Sequence, residues 1–230
     1  MSEWISMSEV WAVVMSLLAY ELGFILQKKT KWAIFNPLLV AMFLIISFLT
    51  IFRMDYSIYQ EKTKYISFLL TPATVCLAIP LYEKMQILKK NWKAILVGIG
   101  GGVLTSMCAV LGMAKLMKMS YEQYVTLLPK SITTAIGIGV VREFGGYETI
   151  TVAAIILTGI VGNICAEPVC RIFKIKNPIA KGVAIGTGAH VIGTTKAMEM
   201  GEIEGAMSSL SIAVSGIITV VLAALYAGIY

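Results

Sequence analysis

The chain has 230 residues, of which 58% are hydrophobic and 14% are charged, and its net charge is +6. A soluble domain carries roughly 25% charged residues, and apolar runs of about 20 residues, the length that crosses a bilayer, recur along this chain. The composition excludes a soluble globular protein and predicts an all-α polytopic membrane protein, with a single integral membrane domain over residues 1–230. The lysines lie in short clusters between apolar runs, which is typical of topology determinants and not of nucleic-acid binding.

The first two apolar runs predict spanning helices. The first covers residues 7–26 and ends at a basic patch over residues 27–31; it lacks the basic start and the small-residue cleavage site of a signal peptide. The second opens at Asn36 and Pro37, with proline at the first helical position, and stays apolar to Phe52.

Two prolines, Pro72 and Pro80, interrupt the third run, residues 65–85. Each removes a backbone donor and frees a carbonyl one turn earlier, and in hydrocarbon those groups must be satisfied by protein or by a water-filled cavity. A simple kink and a functional break both fit this pattern. Thr71 and Thr74 beside the first proline favour a functional break.

The fourth run, residues 95–117, contains the sequence GIGGG from Gly98 to Gly102. Its spacing is not that of a phosphate-binding loop, and no strand precedes it. The glycines therefore predict that a neighbouring helix approaches closely.

Residues 120–146 place a polar centre, PKSITT over residues 129–134, between two arms that are each too short to span a bilayer. A broken spanning helix and a re-entrant hairpin both fit. Cytoplasmic loops carry an excess of Lys and Arg. If every segment spans, the two sides carry nearly equal numbers, whereas a hairpin concentrates them on the inner side. The charges therefore favour a re-entrant hairpin, and seven to eight membrane segments in all.

The remaining segments are a helix over residues 149–171, a broken segment over 181–199 and a final helix over 206–230. The break in 181–199 lies at the sequence GTGAH. We expect this segment to span, with the basic loop before it inside and the acidic loop after it outside. It would then run antiparallel to the broken third helix, as in transporters built from inverted repeats, whose broken helices meet near the midplane.

Polar residues at these breaks predict a site for a small organic anion. Lys130 is a costly charge inside a membrane unless it has an anionic partner, and helix N-termini offer free N–H groups to a carboxylate. His190 can bind a carboxylate or carry a proton, or it can satisfy carbonyls freed by the break; Glu167 is the second candidate for proton coupling, and Lys196 is expected to pair with Glu199 or Glu202. The predicted substrate-binding residues are Lys130, Ser131, Thr133, Thr134, Gly186, Thr187, Gly188, His190, Gly193, Thr194, Pro72 and Thr74.

No constellation for catalysis stands out. The cysteines lie in apolar segments without metal-ligand spacing, and no nucleophile with a base or pair of membrane carboxylates is evident. We therefore expect no enzymatic activity, no metal and no cofactor.

Four motifs resemble those of the LrgB family. PKSITTAI, residues 129–136, resembles the family's PKSVTTPIA, and AKGVAIGTGAHVIGTT, residues 180–195, resembles ARGLAxGTASHxxGTA. LLTPATVCLAIPLY, residues 69–82, is similar to LLGPATVALAVPLY, and EGAMSSL, residues 204–210, to EGAFSSL. The resemblance covers nearly the whole chain from Leu69 onward.

The chain departs from these motifs at Ala135, which replaces a proline, at Gly188, which replaces an alanine, and at Ala189, which replaces a serine. The resemblance implies a multi-pass protein of the bacterial inner membrane with one of two functions. The first is transport of small monocarboxylates such as glycolate, glycerate or pyruvate, proton-coupled or by exchange. The second is holin-like or antiholin-like control of murein hydrolase activity and autolysis with a small partner of the LrgA/CidA type. We also expect a homo-oligomer in the lipid bilayer.

Overall fold

The computed structural model describes residues 10–30, 35–76 and 78–230, without the side chains of Leu70, Thr71 and Thr74. The regular elements of these residues are helices, and four of them are long and apolar enough to cross a membrane. The chain divides into two units, Met1–Cys76 and Leu77–Tyr230. The prediction of an all-α polytopic membrane protein is confirmed.

The N-terminal unit begins with two apolar helices, α1 (Trp11–Thr30) and α2 (Pro37–Ile51). They approach closely at Gly23, where a Cβ atom would lie 2.8 Å from the carbonyl oxygen of Pro37. The Asn36 side chain accepts a hydrogen bond from the N–H of Leu38, which confirms the predicted start of α2. The predicted start of the first helix, at residue 7, lies outside the described residues.

Short helices follow in the same unit: α3 (Tyr56–Lys62), α4 (Lys64–Phe68) and α5 (Leu70–Cys76). Asp55 caps α3 by accepting hydrogen bonds from the backbone N–H and then the hydroxyl of Ser57, and these bonds hold the pKa of its carboxyl below the usual range.

The third apolar run is interrupted, as predicted. It is divided into α4, α5 and, in the C-terminal unit, α6 (Ala78–Glu83), each too short to span. The new helices begin just before the prolines, so that Pro72 and Pro80 each lie in a first turn. Proline is tolerated there because first-turn N–H groups have no partner within the helix.

Three long helices cross the C-terminal unit: α7 (Met85–Met117), α10 (Glu148–Ile172) and α12 (Glu202–Ala227). The fourth apolar run was expected to begin at residue 95, but its helix α7 already begins at Met85. Its 33 residues measure about 50 Å at 1.5 Å each, against a hydrocarbon core of about 30 Å. The extra length allows the basic first turns to stay helical beyond the hydrocarbon.

The segment between α7 and α10 is a re-entrant hairpin, which confirms the prediction; we name residues 120–146 hairpin 1. Its arms are α8 (Tyr121–Leu127) and α9 (Thr134–Phe144), and residues 128–133 form the tip. The chain returns to the end from which it entered, since the N–H of Tyr147 donates to the Thr126 hydroxyl at 2.8 Å. The last turn of α12 lies at this end too, where the Tyr124 hydroxyl donates to the carbonyl of Tyr226.

The segment α11 (Pro178–Met200) is also a re-entrant hairpin, and this corrects the expectation that it spans; we name it hairpin 2. Its chain reverses at His190, whose φ of 42° and ψ of −138° are not helical. A Cβ at Gly193, on the returning arm, would lie 3.1 Å from Ile185 on the entering arm. Lys181 near the start of the entering arm lies 3.8 Å from Glu204 in the first turn of α12, so both ends of the hairpin are on one side.

The two hairpins therefore enter from opposite ends of the C-terminal unit. The acidic loop after hairpin 2 lies beside the basic loop before it, and not across the membrane as expected. Lys84, just before α7, pairs with Glu202 at the start of α12 at this same end, and the hydrogen bond and charge of Glu202 raise the pKa of Lys84. Most cations of the unit are here, and we name this the basic end: Lys84, Lys89, Lys90, Lys93, Arg171, Lys174, Lys176, Lys181 and Lys196. The positive-inside rule assigns the basic end to the cytoplasm.

Candidate functional site

A cavity of about 680 Å³ lies where the tip of hairpin 1 meets the entering arm of hairpin 2, against α7. Lys130 and Ser131 come from the hairpin 1 tip, and Thr187 and Gly188 come from the last turn before the break in hairpin 2. The structure thus brings together four of the residues predicted from the two broken segments, and their role in substrate binding stays a prediction. The helix α7 contributes polar groups that the sequence did not single out, Asn91, Thr105 and Ser106, and Asn177 adds another.

Lys130 is the cation of this cavity. Its half-buried ammonium group lies 3.2 Å from the Ser131 hydroxyl and 3.4 Å from the Ser106 hydroxyl, and these two hydroxyls are 3.1 Å apart. No carboxylate within the described ranges pairs with it. An ammonium group has three donors, so one donor and the full charge remain for a ligand, and an anion is the ligand that would offset the cost of the charge.

Thr187 supplies a second free polar group. The residue is 5% exposed, and its hydroxyl has no hydrogen-bond partner within the described part of the chain. A water-sized space of about 10 Å³ lies between this residue and Ser106, Ser131 and Thr219. A buried hydroxyl without a partner is costly, so a ligand or a water molecule at this position would be stabilised by it.

Two glycines of α7 bring hairpin 2 close to the helix. A Cβ at Gly102 would lie 2.8 Å from the methyl group of Thr187, and one at Gly98 would lie 3.3 Å from Val183. Gly100 and Gly101 face open space. The prediction that the GIGGG sequence allows close helix approach is confirmed for the two glycines that share a face.

Glycines within hairpin 2 serve packing more than ligand access. A Cβ at Gly186 would overlap the carbonyl oxygen of Ser208 in α12, and one at Gly193 would overlap Ala189 in the same hairpin. Gly188 faces open space and lines the cavity. Of the three, only Gly188 is placed to let a ligand approach the backbone.

His190 does not line the cavity. Its buried ring lies against α10, with Nε2 at 2.9 Å from the carbonyl oxygen of Ile155. A carbonyl only accepts, so Nε2 carries a proton and donates it. The Thr194 hydroxyl donates to the His190 carbonyl at 2.8 Å and lies 2.7 Å from the Ser208 hydroxyl. This geometry holds the reversal in place, and a role of His190 in binding or proton transfer stays a prediction.

The other predicted residues lie elsewhere. Thr133 and Thr134 are half-buried at the start of α9 and do not line the cavity. Glu167 lies at the basic end, 3.1 Å from Lys196, which also pairs with Glu199 as expected. Pro72 and Thr74 belong to the N-terminal unit, and their part in binding stays a prediction.

Comparison with known proteins identifies the family. The model of the LrgB-like family matches residues 16–229. The chain belongs to the LrgB-like family. Its relatives include the antiholin-like protein LrgB of Bacillus subtilis, 39% identical over 94% of both chains. Proteins of the same name from Bacillus cereus and Bacillus anthracis are 38% identical, again over 94% of both chains. No solved structure matches the chain.

The family and the four spanning helices together make this LrgB-like protein a multi-pass bacterial membrane protein. The resemblance read from the PKSITT and GTGAH motifs is thereby confirmed. Each motif contributes to the lining of the cavity, PKSITT with Lys130 and Ser131 and GTGAH with Thr187 and Gly188.

Proposed function

We propose that this LrgB-like protein binds a small organic monocarboxylate in the cavity between the two hairpins and carries it across the membrane. One observation supports this most directly. Lys130 presents an ammonium group without a carboxylate partner in the described residues, inside a cavity built from hairpins that enter from opposite ends. Broken helices that meet in the membrane are a recurring plan of transporters, in which access alternates around a fixed site.

The chemistry fits a carboxylate. Lys130 would neutralise its charge, and the hydroxyls of Ser106 and Ser131, which already contact the ammonium group, would donate to its oxygens. Thr187 offers a further hydroxyl to a second polar group of the substrate. Glycolate, glycerate and pyruvate are the substrates that we propose, with proton coupling or exchange as the driving reaction and with no catalytic step.

Uptake into proteoliposomes tests this function. The purified full chain is reconstituted and offered labelled glycolate, glycerate and pyruvate, with and without a pH gradient or internal unlabelled substrate. Saturable uptake of at least one is expected, and Lys130→Gln should abolish it. Lys115→Gln is the matched control, because Lys115 lies in the last turn of α7, away from the cavity. Absence of uptake or exchange for all three, with the fold intact, would count against transport.

A second function is supported by the relatives, which are named antiholin-like proteins. These names favour regulation of murein hydrolase activity and autolysis, acting with a small LrgA/CidA-type membrane partner, more directly than they favour transport. The two functions differ in what they require of Lys130. A regulator that acts by assembly should keep its effect on autolysis in the Lys130→Gln variant, whereas an effect that depends on transport should be lost.

A further inference from the structure

A second cavity, of about 600 Å³, lies at the basic end, at the open mouth of hairpin 2. Arg171, Lys174 and Lys176 line it from the last turn of α10 and the loop that follows, and Lys181 and Glu199 line it from the two arms of the hairpin. It shares no lining residue with the cavity that contains Lys130.

The carboxylates around this cavity already have partners. Glu167 and Glu199 both pair with Lys196 at 3.1 Å, and Glu204 faces Lys181 at 3.8 Å. The three other lining cations, Arg171, Lys174 and Lys176, are exposed and pair with no carboxylate of residues 10–30, 35–76 or 78–230. The cavity therefore carries an excess of positive charge that nothing in the described chain neutralises.

Apolar side chains adjoin these cations. Ile172 and Phe173 are 72% and 71% exposed, and they end the spanning helix α10 immediately before the basic loop. In a bilayer this position is the boundary between hydrocarbon and headgroups, on the side that the positive charges assign to the cytoplasm. Basic pockets beside membrane helices on that side suit the phosphate of an anionic lipid, and neighbouring apolar residues suit its acyl chains.

We propose that an anionic phospholipid binds here, with its phosphate among Arg171, Lys174 and Lys176 and its acyl chains against Ile172 and Phe173. The lipid would join the end of α10 to the mouth of hairpin 2, because both line the cavity. This site is independent of the transport proposed above, since it lies outside the Lys130 cavity.

Thermal unfolding of the detergent-purified full chain tests the site. Phosphatidylglycerol, phosphatidylcholine and inorganic phosphate are added separately at increasing concentrations, to the native protein and to two double variants. Lys174→Gln with Lys176→Gln removes two cations of the cavity. Lys115→Gln with Lys118→Gln removes two from the opposite end of α7, so both variants lose the same net charge.

Phosphatidylglycerol should raise the unfolding temperature of the native protein and of the Lys115/Lys118 control variant by the same amount. Phosphatidylcholine should leave both unfolding temperatures unchanged. Each lysine near an anionic headgroup contributes roughly fivefold to affinity, so the Lys174/Lys176 variant should need roughly 25-fold more lipid for the same shift. An equal response of both variants to phosphatidylglycerol, or no response of the native protein, would overturn the proposal. A full response to inorganic phosphate alone would overturn the assignment to a lipid and indicate a free-phosphate site.

Discussion

Thr187 and Thr194 are both buried threonines of hairpin 2, but their hydroxyls are in opposite situations. The Thr194 hydroxyl has two partners, the His190 carbonyl and the Ser208 hydroxyl, while the Thr187 hydroxyl has none in the described chain. Valine has nearly the same shape as threonine, so the pair of Thr→Val variants separates the hydroxyl from the packing.

We predict that Thr194→Val lowers the free energy of unfolding by about 1–3 kcal/mol, because the two buried groups that the Thr194 hydroxyl contacts lose this hydrogen-bond partner. Thr187→Val should leave it unchanged or raise it, and yet weaken ligand binding. Denaturant unfolding of the purified variants, followed by ligand titration, measures both. A loss of stability in Thr187→Val as large as that in Thr194→Val would show that Thr187 has a structural role instead.

The sequence identified the polar residues of the membrane segments, but it did not predict which neighbour each one faces. Three polar residues within apolar segments were singled out from the sequence and line the cavity: Lys130, Ser131 and Thr187. His190 was singled out by the same signal and lies on the other side of its hairpin, against α10. The sequence shows that a residue is polar, but the rotation of a short helical arm decides which neighbour it faces.

At the scale of elements, the tight packing of hairpin 2 against α12 depends on Gly186. A Cβ there would overlap the backbone carbonyl of Ser208, which cannot move without shifting α12. Gly188, one position beyond Thr187, has no neighbouring atom within 4 Å of an added Cβ.

We predict that Gly186→Ala destabilises the protein by about 1–3 kcal/mol through overpacking. Gly188→Ala should be neutral or stabilise the helical arm by up to about 1 kcal/mol, because alanine loses less backbone entropy than glycine. Thermal unfolding of the two variants in detergent makes the comparison, and equal stability would contradict the close approach of hairpin 2 to α12.

The reversal of hairpin 2 predicts a specific topology. Cysteines introduced at Lys176, before the hairpin, and at Glu202, after it, should react with an impermeant thiol reagent from the same side of the membrane. A cysteine at Lys118, between α7 and hairpin 1, should react from the other side. The native cysteines are replaced beforehand, since those described are free thiols. Labelling of positions 176 and 202 from opposite sides would show that the segment between them spans the membrane and is not a re-entrant hairpin.

Hairpin 1 was predictable from the sequence, whereas hairpin 2 was not. A spanning arrangement leaves nearly equal numbers of Lys and Arg on the two sides, whereas a re-entrant hairpin 1 concentrates them on the inner side, as the positive-inside rule requires. Hairpin 2 has the length of a single spanning helix, so its length does not distinguish a re-entrant hairpin from a helix that crosses the membrane. The acidic loop after it suggested the outer side, but Glu202 and Glu204 pair with Lys84 and Lys181 of the basic end, which explains why acidic and basic loops lie together.

At the scale of the whole C-terminal unit, the two hairpins enter from opposite ends and meet at one cavity beside α7. The sequence predicted the membrane class and the interrupted segments, and it singled out residues of two of these segments that line one cavity. It could not predict Ser106 and Asn91 as lining residues, because a long helix such as α7 presents polar side chains on several faces, and only packing selects among them.

The Lys130 cavity should bind a small monocarboxylate, and equilibrium binding to the purified full chain measures this without the need for transport. Glycolate, glycerate and pyruvate are titrated into the native protein and into the Lys130→Gln and Lys115→Gln variants. Hydrogen bonds to a charged group contribute about 1.5–3 kcal/mol. The native protein and Lys115→Gln should therefore bind at least one of these anions alike, and Lys130→Gln should bind it at least about tenfold more weakly. Equal affinity in the native protein and Lys130→Gln, or no binding of any of the three by a folded native protein, would contradict the claim.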